Sequence, residues 1–146
     1  MGIEPTTAAR IAGLRDDAER LFADGNHRDA VELFATALAL LPPPLEEHRD
    51  ATEILAAIAD GEFAQRRWAE SSAAGRQALR CPGGVDECFI WLRIGQALFE
   101  LGDNEGAGDA LASAYMLCGR ELFDDEDPKY FGFLTSVLEP PSSGVW

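Results

Sequence analysis

Apolar residues recur every three or four positions along most of the chain, the period of helices that bury one face. Leu14, Ala18 and Leu21 form one stripe, Gly25-Asn26 interrupts it, and Ala30, Phe34 and Ala37 begin another that stops at Pro42. The same order returns later. Trp91, Ile94, Gly95 and Leu98 precede Gly102-Asp103, and Ala107, Leu111 and Ala114 follow it. A copy in between has Leu55, Ile58, Ala59 and Phe63, then Trp68, Ser71, Gly75, Ala78 and Leu79, with Arg66 at the turn in place of glycine. Each copy predicts two amphipathic helices joined by a tight turn. Glycine at 25 and 102 suits the left-handed residue that ends a helix, and Pro42 and Pro82 stop the second helices. The alanines at 18, 30, 37, 59, 78, 107 and 114, with Gly95, fall where two helices would cross closely.

The pattern resembles the tetratricopeptide repeat (TPR), a helix-turn-helix unit of about 34 residues. The stretch from Trp91 to Ala114 carries the likeness most fully, the first copy carries it well, and the second is degenerate. Together they cover residues 11 to 117, with the turns at 25, 66 and 102 spaced 41 and then 36 residues apart. The extra length falls in Pro42-Pro43-Pro44-Leu45-Glu46-Glu47. The resemblance implies an all-α, tetratricopeptide-like stack of three helix-turn-helix repeats in a single domain. The repeats are expected at about 11–44, 52–84 and 88–119, with a cap at 120–139 and a tail at 140–146.

The cap has its own signals. Leu122 to Asp127 is an acidic loop, Pro128 fits the first turn of a helix, and Asp127 is placed to cap it. Tyr130, Phe131, Phe133, Leu134, Val137 and Leu138 then supply a seventh helix apolar enough to cover the open end of the stack, as solenoid ends require.

Charge narrows the function classes. Among 146 residues, 26 are acidic and 12 basic, for a net charge of −14, and residues 85–146 hold −9 of it. Nucleic-acid and anionic-membrane binding start from clustered positive charge and are not expected. A basic protein partner suits the field. No apolar run approaches a membrane span, and the first residues lack the basic and apolar regions of a signal peptide, so a cytoplasmic protein is expected. Cys81, Cys88 and Cys118 are an odd number, expected as unpaired thiols in a reducing compartment.

No catalytic constellation stands out. His27 in a turn and His48 near a helix start are expected to be exposed, and no Cys-His or Ser-His pairing can be argued. Asp124 to Asp127 is rich in oxygen but lacks the spaced ligands and central glycine of a calcium loop. Neither a metal, a cofactor nor an enzyme activity is expected.

In the family resembled, the first helix of each pair lines a concave groove. Three residues before each turn stand Phe22, Phe63 and Phe99; six before stand Glu19, Asp60 and Gln96. Arg15, Asp16, Glu53, Phe89, Leu92 and Arg93 are expected to face the same way. An aromatic row beside an acidic row suits a protein-binding surface with buried anchors, unless the phenylalanines instead brace the next repeat. The acidic row disfavours capture of a C-terminal carboxylate. Asp124, Asp125 and Asp127 are expected to add steering charge. The segment from Ala114 to Phe131 also looks like the ending of small bacterial TPR proteins of polymorphic toxin loci. That likeness implies an immunity-type protein masking a basic toxin domain. A secretion chaperone of similar size and acidity, or a general peptide-binding adaptor, is the alternative.

Overall fold

The computed structural model describes residues 2–146. Seven α-helices and three short 3-10 turns make up its regular structure, and the described residues contain no strand. The helices are α1 (Pro5–Ala23), α2 (His27–Ala39), α3 (Arg49–Ala64), α4 (Trp68–Leu79), α5 (Cys88–Glu100), α6 (Asn104–Cys118) and α7 (Pro128–Val137). They pair as α1 with α2, α3 with α4 and α5 with α6; α2 packs on α3, and α4 on α5.

The turn at each hairpin follows from the sequence. Gly25 and Gly102 adopt φ of 82° and 84°, and Arg66 adopts 59° in the corresponding place. Left-handed backbone is disfavoured for a residue with a Cβ, so the degenerate copy retains the repeat's geometry without its preferred residue. It also lacks the cap. Asn26 and Asp103 accept hydrogen bonds from the amides of Asp29 and Gly106, at the starts of α2 and α6, whereas Arg67 makes no such bond for α4.

The small residues lie at the crossings, as their periodicity indicated. Ala18, Ala30, Ala37, Ala59, Ala78, Ala107 and Ala114 are all buried. Ser71 takes the equivalent place in α4, and its buried hydroxyl donates to the Ala59 carbonyl at 2.8 Å, so the polar atom is satisfied inside the hairpin.

Three sequence expectations need correction. Cys88 and Cys118 are joined by a disulfide that ties the start of α5 to the end of α6; only Cys81 is free, and it is buried. Helices of an antiparallel hairpin bring those two ends together, which an odd cysteine count does not reveal. Burial raises the Cys81 thiol above its ordinary pKa and keeps it protonated. Neither histidine is exposed. His48 is buried with its Nε2 2.6 Å from the Pro42 carbonyl, and His27 is half-buried against the Phe22 ring.

The seventh helix forms where expected. Asp127 caps it by accepting from the Lys129 amide, and Tyr130 and Leu134 are its buried contacts. Leu134 joins Leu92, Leu111, Ala114 and Phe123 in a second core at the end of the stack. Trp146 folds back, its ring edge-on to Tyr115 and Phe131.

Candidate functional site: a groove shared with the chain's own C-terminal segment

Helices α1, α3 and α5 present one side-chain surface, stitched together by charge. Arg15 of α1 donates to Glu53 of α3 at 2.9 Å and lies 3.6 Å from Asp50. Arg93 of α5 donates through Nε to Asp60 of α3 at 2.7 Å. These pairs place Arg15, Asp50, Glu53, Asp60 and Arg93 on that shared surface, whereas Leu92, expected to face the same way, is buried in the second core. What covers that face differs along its length.

Over the third repeat the surface is occupied by the chain itself. Glu126 accepts from Arg93 Nη1 at 2.7 Å and from Gln96 Nε2 at 2.6 Å, while Arg93 Nη1 also donates to the side-chain oxygen Oε1 of Gln96. The Arg93 guanidinium lies 4.7 Å from the Phe63 ring centre. Gln96 is fully buried. Tyr130 meets Phe63 and Phe99, and Phe133 meets Phe99, in edge-on or tilted packing. Tyr130 donates to Glu100 at 3.0 Å, and Lys129 pairs with the same carboxylate at 2.9 Å.

The electrostatics fit this closure. Burial raises the Asp60 carboxyl above its ordinary pKa, and Arg93 pulls it back. Burial works against the Arg93 charge, but Asp60 and Glu126 outweigh it and hold the guanidinium above its ordinary value. Burial, then the bond to Glu100, raises Tyr130, so it remains a neutral donor.

The sequence-predicted site residues thus divide. Phe63, Phe99, Arg93 and Gln96 contact the C-terminal segment, and Asp60 holds Arg93 in place, so in this structure they pack within the chain instead of forming an uncovered row. Arg15 is engaged by Asp50 and Glu53, and Asp127 serves α7 as its cap. Phe22 packs on His27. Glu19, Glu53, Phe89, Asp124 and Asp125 remain exposed. Truncating Phe99→Ala is therefore expected to lower stability by roughly 1–3 kcal/mol, below the roughly 3–5 kcal/mol of a fully buried phenylalanine because the ring is only partly buried. Thermal unfolding read by circular dichroism checks this. An unchanged melting curve would show that the ring does not hold the cap.

The open part of the surface lies between the N-terminal halves of α3 and α5. Arg49, Thr52, Glu53, Ala56, Glu87, Phe89 and Ile90 line a cleft of about 230 Å³. Phe89 is 61% exposed there. Thr52 is turned away, its hydroxyl donating to the Pro82 carbonyl. Arg49, Ala56, Glu87 and Ile90 were missed in the sequence. Glu87 could have been found by continuing the acidic count one residue ahead of α5; Ala56 and Ile90 carry no signal beyond helical periodicity.

Among the described residues, no three His, Cys, Asp or Glu side chains converge in a geometry that could hold a metal ion, and no helix is long and apolar enough to cross a membrane.

Comparison with known proteins defines the class of fold. The chain superposes on the second TPR domain of human RPAP3, solved in complex with the HSP70 peptide SGPTIEEVD. That match has a TM-score of 0.68 and 15% identity, over 89% of this chain and 96% of that one. The Sgt2 TPR domain from Aspergillus fumigatus gives 0.65 at 18% identity, over 91% of this chain and 77% of that one. The first TPR domain of human RPAP3 gives 0.64 at 14% identity, over 87% and 88%. The fold is a TPR-like stack of helical hairpins. No protein-family model matches the sequence, and no curated protein matches it.

Proposed function

We propose that this chain is a non-catalytic protein-binding module whose concave face receives a basic segment of another protein. The observation that carries this is the open cleft between α3 and α5, where exposed Phe89 stands beside Glu53 and Glu87 on a chain of net charge −14. An exposed aromatic at an apolar cleft supplies an anchor, and the surrounding negative field speeds encounter with a positive partner. Asp124 and Asp125, exposed at the end of the stack, extend that field. The finer form of the proposal is an immunity-type role, in which the partner is a basic toxin domain and binding masks its positive active surface. The likeness of residues 114–131 to proteins of toxin loci supports it. A peptide-binding adaptor is the second reading, favoured by the size of the cleft, which suits one side chain better than a folded surface.

Two experiments test the proposal. Association with the partner, followed by stopped flow, is expected to slow steeply as salt rises from about 0.01 M to about 1 M, where the screening length falls from about 30 Å to about 3 Å. Salt-independent association contradicts the electrostatic part. For the immunity role, the product of the adjoining gene is expressed with and without this chain. Growth arrest relieved only by this chain supports it; a harmless neighbour, or toxicity that persists, overturns it.

A further inference from the structure

The geometry points to the α3–α5 cleft as the reading site for one apolar side chain with a lysine or arginine beside it, presented by an extended segment of a partner protein. This rests on the proposed protein-binding role and specifies what that role recognises.

Size sets the first requirement. The cleft holds about 230 Å³, below the roughly 300–1,000 Å³ of pockets that enclose a drug-sized ligand. It is too small for a folded surface but roomy enough for one apolar side chain, aliphatic or aromatic, since a cavity of about 150 Å³ already takes a benzene ring. Ala56 and Ile90 supply apolar walls, and Phe89 a ring already standing in solvent.

Charge sets the second requirement. Glu87 has neither a cation nor a hydrogen-bond donor for its carboxylate among the described residues; it precedes α5 but does not cap it. Glu53 is shared with Arg15 yet remains half open to solvent. Arg49 is the one cation of the lining, and its guanidinium lies close over Gly83. Two carboxylates thus oppose one guanidinium that is laid to the side. An acidic residue next to the anchor would meet Glu53 and Glu87 as a like charge, which is the kind of repulsion that separates partners.

The C-terminal segment limits where a partner can run. Glu126, Tyr130 and Phe133 already cover Arg93, Gln96 and Phe99. A bound segment therefore runs from the cleft towards α1 and not over Arg93, Gln96 and Phe99 of α5.

The test uses the 15N-labelled full-length chain and three capped peptides: acetyl-Gly-Ser-Lys-Leu-Ser-Gly-amide, the same peptide with glutamate for lysine, and the same with glycine for leucine. The first peptide is expected to shift the amide resonances of Glu53, Ala56, Phe89 and Ile90. The other two are expected to bind at least about tenfold more weakly, the loss that follows from withholding one buried aliphatic side chain or opposing a charge. Phe89→Ala and Glu87→Lys, both at exposed positions, are expected to weaken the first peptide by a similar factor while leaving the rest of the spectrum in place. Equal binding of all three peptides overturns the inference, as does absence of binding. Shifts confined to the Glu19 end of α1 overturn the cleft while leaving the concave-face role standing. Shifts confined to α2, α4 and α6 overturn both.

Discussion

Breaking the Cys88–Cys118 bond is expected to lower the stability of the chain by about 3–4 kcal/mol. The bond closes a loop of 30 residues, and the loss of loop-closure entropy in the unfolded chain is of that size. It spans the whole third hairpin, whose helices also carry the cap through Leu92, Leu111 and Leu134. Cys118→Ser should therefore shift the melting temperature down by roughly 10 °C for a domain of this length. The oxidised parent should show the same shift on reduction, and the variant should be indifferent to reductant. Free thiols at 88 and 118 in the non-reduced protein, read by mass spectrometry after alkylation, would contradict the linkage.

Gly95→Leu is expected to cost about 3 kcal/mol or slightly more, at or beyond the upper end of typical overpacking penalties. A Cβ at Gly95 would stand 2.6 Å from Leu111 Cγ and 3.0 Å from the Leu111 backbone nitrogen. Rotating the Leu111 side chain alone does not relieve both contacts, so α5 and α6 must separate. Gly13→Ala is the control. It lies within α1 with nothing within 4 Å of its added Cβ, and gains about 0.5–1 kcal/mol from helix propensity. Chemical denaturation of the two variants should thus move in opposite directions. A Gly95→Leu protein as stable as the parent would place the α5–α6 crossing elsewhere.

The hairpins were legible because helical period, small residues and turn residues all repeat in step. Even Arg66 could be placed at a turn by its neighbours, and its positive φ follows from that placement. The disulfide was not legible, since 30 residues of separation and an odd cysteine carry no pairing information. The closure of the groove was not legible for a different reason. Periodicity assigns Phe63, Gln96 and Phe99 to a face, but only the path of residues 120–138 decides what lies over that face. Glu126 read as one more charge in an acidic loop, whereas in the fold it is the acceptor that joins Arg93 and Gln96. Phe89 and Glu53 were legible and open; their companions Ala56 and Ile90 become a cleft only when α3 and α5 are side by side.

Binding is proposed to use the open part of the surface formed by α1, α3 and α5. Phe89, 61% exposed on α5, and Met116, 74% exposed on α6, report on different faces of the third hairpin. A photoactivatable benzophenone amino acid placed at position 89 or at position 116 therefore reads the binding face directly, with the bound protein identified by mass spectrometry. A saturable cross-link to a basic segment is expected from position 89 and none from position 116. A cross-link to the same partner from position 116 alone would contradict it.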